Sequence, residues 1–368
     1  MHPAIRSATG VAGLAAMTMG GPARALDWEL ADGGKLTFYG LINIAGLFYD
    51  DGRAQYDYVP VGNSNAPSRA GLLWASANEA WGARFEFQYQ PRPSSAVSQR
   101  DADVTDWAIA RTDLRKLELY WRPDFGAFAL GQGSMASDGI AEIDLSGTTV
   151  VAYSSVSDPA GGNFFRFGDG TLSEVTIGAT LSDFDGSRRM RIRYDTPRWN
   201  GLQLAASYGR EVLREGDDSD YADVALRYDG KTDRWTYSAG AGYNWKIGDG
   251  STTSFWAASG SILNSDTGLN ATLALGANDA DARYWYAKLG LKRDFWSFGS
   301  TALSVDHYDG AGFVARGSAT TSWGIAAVQR IDRADLELYA VWRSYGFDET
   351  AASYRTGHAV MTGFRWTW

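Results

Sequence analysis

Three arginines stand at alternate positions in mid-chain, Arg189, Arg191 and Arg193. Upstream of them, Asp138, Glu142 and Asp144 are set among the apolar residues Ile140, Ile143 and Leu145. A guanidinium stays charged at any working pH. A ladder of three facing a group of carboxylates would put a standing field across the space between them. That chemistry sorts ions and dipoles and breaks no bonds. Residues suited to bond-making are scarce. Cysteine is absent, and His2, His307 and His358 are the three histidines. Neighbours in a strand point to opposite faces, so Asp306 is badly placed to orient His307. No nucleophile with an adjacent base emerges, so the chain does not read as an enzyme. No His or Cys cluster has metal-ligand spacing. Asp217, Asp218 and Asp220 would hold Ca²⁺ loosely at most and read as a solvated loop. Gly161-Gly162 and Gly168-Asp169-Gly170 lack the strand–helix setting of a phosphate loop. No cofactor is expected.

The elements that must position these charges have a period of two. Phe85, Phe87 and Tyr89 alternate with Arg84, Glu86 and Gln88; Leu117, Leu119 and Trp121 alternate with Lys116, Glu118 and Tyr120. Met190, Ile192 and Tyr194 alternate with the arginine ladder. Each segment is a strand with one apolar and one polar face. Gly (43 residues), aromatics (14%) and only nine Pro suit long paired strands. Mean hydropathy is −0.28, and no charge-free apolar run is long enough for a membrane helix. Strands of around ten residues with aromatics near their ends, such as Trp74, Trp81, Trp121, Trp235, Trp285, Trp296 and Trp323, fit a tilted bilayer span with two interfacial girdles. A sandwich would turn the same apolar faces inward.

Sixteen strands are expected between 35–48 and 357–368. Tight turns fall at 77–80, 123–126, 196–200, 229–233, 264–267 and 332–334. Longer loops lie near 49–67, 91–113, 211–219, 309–319 and 346–356. Short periplasmic turns alternating with long outer loops mark an all-β, antiparallel transmembrane barrel. A purely structural barrel with a filled interior suits about eight strands instead.

One connection, 133–187, far exceeds the rest, and it carries Val150, Val151 and a strand-like piece over Ser173–Leu181. A loop of that length is functional or disordered. Its apolar content favours folding into the lumen of a barrel that would otherwise stay open. A lipid-facing Arg at mid-membrane costs roughly 2–4 kcal/mol, so the ladder faces the lumen. Arg69, Arg84, Lys116, Glu86 and Glu118 fall on lumen-side positions by the same alternation. The arginines then either oppose the loop acids across a narrow aqueous eyelet or pair with wall acids such as Glu86 and Glu118.

Residues 1–25 read as an export signal: Arg6, an apolar run from Ala8 to Met19, and Ala23-Arg24-Ala25 as the cleavage site. The barrel then spans 26–368, with no room before its first strand for a plug domain, and transport is expected to be passive. Removing Arg6 and Arg24 from the 34 basic residues leaves 32 against 43 acidic, a net charge of −11. An acidic chain argues against a nucleic-acid partner.

Lys35-Leu36-Thr37-Phe38-Tyr39-Gly40 resembles the opening strand of Gram-negative general porins. Ser68-Arg69 with Gly71 is similar to their second strand, and Arg193-Tyr194-Asp195-Thr196-Pro197, with Gly201 and Tyr208-Gly209, to the stretch that leaves their constriction loop. Ser137 to Thr148 resembles alphaproteobacterial members. The resemblance covers most of the mature chain. It implies a homotrimeric sixteen-stranded barrel in the outer membrane, with the third outer loop folded inward. Acids on that loop, matched by Asp138, Glu142 and Asp144, would face a basic cluster matched by Arg189, Arg191 and Arg193. The implied partners are outer-membrane lipid, a second and third copy of the chain, small polar solutes and ions, and the insertion machinery. That machinery would read the last strand, Phe364, Trp366 and Trp368; the family usually ends in Phe. A substrate-selective channel for anions or sugars is the alternative.

Overall fold

A computed structural model describes residues 25–248, 250–350 and 352–368. The expected export signal lies, but for Ala25, outside the described residues. Sixteen antiparallel strands form the wall. They are β1 (Lys35–Asp50), β2 (Arg69–Ala75), β3 (Trp81–Gln88), β4 (Leu114–Trp121), β5 (Ala127–Ser134), β6 (Arg188–Asp195), β7 (Leu202–Arg210) and β8 (Asp220–Lys231). The second half comprises β9 (Trp235–Gly248), β10 (Ser251–Asn264), β11 (Leu269–Asn278), β12 (Arg283–Trp296), β13 (Gly299–Ala311), β14 (Ala319–Ile331), β15 (Leu336–Glu349) and β16 (Gly357–Thr367). Each pairs with its sequence neighbours, and β16 closes on β1 from Leu41↔Thr367 to Asp50↔His358. Closure leaves none of these sixteen wall strands as an edge, which a membrane barrel requires because lipid offers the backbone no hydrogen bonds.

Alternation sets the faces. Met190 and Ile192 on β6 are 48% and 55% exposed, and Leu117 and Leu119 on β4 57% and 59%, while Arg191 and Glu118 between them are buried. Leu273, Leu289, Val305 and Ile325 continue this outward apolar band. An apolar belt of that extent is untenable in water and suits lipid. Aromatics bracket it. At the short-turn end Trp81, Trp121, Phe128 and Tyr194 follow one another with centroids 5.4, 5.5 and 4.8 Å apart. At the long-loop end His307 sits between Trp285 (5.0 Å) and Trp323 (4.3 Å), and His358 stacks on Trp342. Both histidines thus belong to the outer girdle, and Asp306 points the other way, to Arg343.

Some connections differ from the sequence reading. The 49–67 loop contains a strand, Gln55–Gly62, that folds back on β1. Ser173–Leu181 is not one strand: Leu172–Thr176 pairs with Phe164–Phe167, and Gly178–Thr180 is a 3₁₀ turn. Leu26–Glu29 pairs with β1 at Lys35–Phe38, beyond the end of β16.

The buried core joins wall and loop. Val150, Val151, Val156, Phe165 and Ile177 pack with inward-facing Tyr284, Tyr308, Tyr345 and Met361. The long connection is therefore an inner layer of the barrel rather than an external flap.

Candidate functional site

From Met135 to Ser187 the chain runs along the inside of the wall, tied to strand after strand. Ala136 N–H donates to Ser207 Oγ on β7 at 2.8 Å, and Ser137 N–H to Asp223 on β8 at 2.7 Å. Arg227 on β8 donates to the carbonyls of Ala136 (2.7 Å) and Asp138 (2.9 Å). Leu145 N–H reaches Ser261 on β10 at 2.9 Å. Tyr345 on β15 donates to Val156 O at 3.0 Å, and Tyr308 on β13 to Ser182 O at 2.7 Å. Glycines on β9 make room: a Cβ at Gly240 would stand 2.7 Å from Ile140 Cδ1 and 2.8 Å from Ile143 Cδ1. These bonds satisfy backbone groups that a buried loop would otherwise leave unpaired.

The arginine ladder faces inward but does not stand in open water, and follows the wall-pairing alternative rather than the open eyelet. Arg189, Arg191 and Arg193 are 9%, 3% and 7% exposed. Each has its own carboxylate, on a wall strand or, for Arg189, just past the end of β7. Arg189 lies 3.3 Å from Glu211 and over the Tyr221 ring, Arg191 pairs with Glu118, and Arg193 binds Asp195 through two bonds of 2.8 and 2.7 Å. Arg191 and Arg193 also donate to Ser134 O and Met135 O, the start of the loop. The ladder thus fastens the loop where it leaves the wall.

Asp144 also departs from expectation. It is buried against Lys288 at 2.6 Å, and Lys288 donates further to Thr148 Oγ1 and Ala152 O. Asp138 and Glu142 remain half-buried at the loop's inner edge, joined by Asp158, Asp183 and Asp185. Burial acts to raise Asp138, but Arg188 in front of it, with Lys116 and Arg115, holds it below its ordinary value. Burial, then the charges of Asp183, Asp138 and Asp158, push Glu142 up to about 8. Asp158 is pushed up to about 7, chiefly by burial.

Arg69, Arg84, Lys116, Glu86 and Glu118 stand on β2–β4, all turned inward. Arg84 is 3.6 Å from Glu118, and Glu86 accepts from Tyr39 at 2.9 Å. Two residues join them that alternation did not mark. Arg115 should face lipid with Leu117. A β-bulge breaks the β3–β4 register, pairing Glu86 with Lys116 but Phe87 with Leu114. Arg115 therefore turns inward and donates to Glu86 at 2.6 Å. Arg188, at the first position of β6, lies 3.8 Å from Asp138 and is the arginine nearest the loop acids. A register break leaves little trace in side-chain pattern, and a strand-end residue escapes alternation. Asp217, Asp218 and Asp220 turn to Lys246 and Arg210 instead of converging. Phe364 and Trp366 face outward, and Trp368 stands beside Gly40 at the seam.

A closed sixteen-stranded barrel, apolar outside and lined inside by a charged, anchored loop, is a transmembrane channel. The chain belongs to the Gram-negative porin family, whose model matches residues 10–350. It is an outer-membrane β-barrel channel rather than an enzyme. Among solved structures it is similar to the anion-selective porin from Comamonas acidovorans, with TM-score 0.61 and 14% identity over 91% of this chain and 100% of that one. It is also similar to the trimer form of OmpT from Vibrio cholerae (TM-score 0.56, 13% identity, 92% and 100% covered). Salmonella typhi OmpF, in complex with daunomycin, gives TM-score 0.54 and 12% identity over 93% and 100%. At these identities the likeness speaks for the fold. No curated protein matches the sequence.

Proposed function

We propose that small hydrophilic solutes and ions cross this porin through an eyelet between the loop acids Asp138 and Glu142, with Asp183 and Asp185, and the basic wall of Arg69, Arg84, Arg115, Lys116 and Arg188. The observation that carries this reading is the loop itself: it is bonded to the inner wall from β7 to β15, and at its edge Asp138 faces Arg188, with Lys116 and Arg115 of β4 nearby. Fixed charges of opposite sign on two sides of a narrow bore order water and align dipoles, so polar solutes pass in preference to apolar ones. In this reading Asp144, Arg189, Arg191 and Arg193 hold the loop in place.

The chain assembles as a homotrimer, by analogy with the trimer form of OmpT, and the stretch Ser137–Thr148 supports an alphaproteobacterial subtype. Phe364, Trp366 and Trp368 serve as the insertion signal, and residues 1–25 as the export signal. Single-channel recording in planar bilayers tests the reading. Water-filled conductance in triplet steps is expected, with solute swelling rates that do not saturate. A folded barrel that never conducts rejects the channel; saturable swelling selects the sugar- or anion-specific alternative.

A further inference from the structure

We propose that the long-loop end of the lumen holds a subsite for ring-bearing organic cations, formed by Phe184, Phe313 and Tyr284 beside the carboxylates of Asp183 and Asp185. The subsite rests on the channel reading above, since it opens to the bore.

Phe184 is the first observation. Its φ is 52°, in the left-handed region that a bulky residue seldom adopts. Such a conformation persists only where surroundings enforce it, and it clusters at ligand sites. Here it places an aromatic ring between two carboxyl-bearing residues. The ring lies 5.5 Å from Phe313, 6.0 Å from Tyr284 and 6.3 Å from Phe255, centroid to centroid, and stays partly exposed. Gly276 leaves the space for it: a Cβ there would stand 3.2 Å from Phe184 Cδ2 and 2.9 Å from Tyr284 Cε1.

Tyr284 supplies the second, independent observation. It is 4% exposed, yet its hydroxyl has no hydrogen-bond partner. Its charged neighbours are Asp183, Asp185 and Glu142. A buried hydroxyl without a partner is costly, and one set among carboxylates suits a donor brought by a ligand.

The carboxylates complete the site. Among the described residues none of Asp183, Asp185 and Glu142 is in an ion pair. Asp185 accepts from the amides of Gly139 (2.7 Å) and Ala141 (2.8 Å), which fixes its position without neutralising it. An ammonium group is drawn both by carboxylates and by aromatic faces. A ring attached to it adds stacking on Phe184 and Phe313. An anion is repelled, and a cation without a ring loses the stacking. Burial holds the carboxyls of Asp183 and Asp185 above their ordinary range, and at Asp185 the charges of Glu142, Asp138 and Asp183 add to it. A bound ammonium therefore displaces protons, and affinity rises with pH.

The test is calorimetric titration of the full detergent-folded barrel with phenethylammonium chloride at about pH 8, against n-butylammonium and phenylacetate. Saturable binding of phenethylammonium is expected, at least about ten-fold tighter than n-butylammonium, with no binding of phenylacetate. Phe184→Ala and Tyr284→Phe should each weaken phenethylammonium at least about five-fold while n-butylammonium changes little. Tyr284→Phe removes one oxygen and keeps the ring, so it reports even if Phe184→Ala does not fold. Equal affinity for the two ammonium ions, or unchanged affinity in Tyr284→Phe, overturns the subsite. KCl conductance of the same preparation is read separately: a conducting barrel without ring-dependent binding rejects the subsite alone, and a non-conducting barrel that binds as described rejects the channel alone.

Discussion

Lys288 Nζ donates to the Asp144 carboxylate at 2.6 Å, and neither side chain is more than 2% exposed. The pair joins β12 to the inner loop. Lys288 meets Thr148 Oγ1 at 3.0 Å and Ala152 O at 2.6 Å as well, so one ammonium closes a whole turn of the loop onto the wall. Removing one partner of a buried pair leaves an uncompensated charge, at a cost of about 3–5 kcal/mol. Lys288→Met should therefore loosen the loop and lower the thermal stability of the folded barrel. Adding Asp144→Leu should recover most of the loss. Open-channel current noise measures the loosening and heat-modified gel mobility the stability; a quiet, fully stable Lys288→Met would show that the pair does not hold the loop.

Arg188 and Arg191 should behave differently when neutralised. Arg188 is a third exposed and lies 3.8 Å from Asp138, whereas Arg191 is enclosed with Glu118. Arg188→Gln is expected to shift the reversal potential in a salt gradient toward cations with little change in stability. Arg191→Met is expected to lower stability, because Glu118 loses its closer partner and keeps only Arg84 at 3.6 Å, and the carbonyls of Gly131 and Ser134 lose their donor. Equal selectivity shifts from the two variants would contradict the assignment.

Selectivity should follow pH. Glu142 is pushed up to about 8 and Asp158 to about 7. Both carboxyls are largely protonated in mildly acidic solution and ionise as pH rises through those values. The eyelet gains negative charge at Glu142 and the loop behind it at Asp158, so the channel becomes more cation-selective between about pH 6 and 9. For stability the sign is opposite. An acid whose folded pKa is raised favours the folded state below its unfolded value, 4.5 for Glu142, and that contribution is lost as pH rises through about 8. Glu142→Gln should flatten the reversal-potential curve; an unchanged curve in that variant would remove Glu142 from the eyelet.

Ile192 is 55% exposed on the outward face of β6 between two buried arginines. Ile192→Arg should cost roughly 2–4 kcal/mol in lipid if it sits near the bilayer midplane. Urea unfolding in vesicles measures this, with Ile192→Leu as the neutral control. A neutral Ile192→Arg would mean that this face does not meet lipid.

Gly240→Val should unseat the loop. Its Cβ alone would crowd Ile140 and Ile143 at 2.7 and 2.8 Å, and overpacking of that kind costs about 1–3 kcal/mol. Single-channel conductance should change and become noisier while β-sheet content by circular dichroism is retained.

Much of this was legible without coordinates. Strand alternation is a property of the local backbone, so Met190 and Ile192 had to face one way and Arg191 the other wherever β6 was placed. All sixteen strands, the inward loop and the two aromatic girdles follow from that period and from connection length. Which charge meets which partner was decided only by the closed barrel. Asp144 finds Lys288, and Arg189 finds Glu211, through the path the loop takes around the wall. Arg115 turns inward because one residue is bulged out of the β3–β4 ladder. Periodicity is written residue by residue, but ion pairing across a lumen joins segments far apart in the chain, and only their common closure brings them within reach.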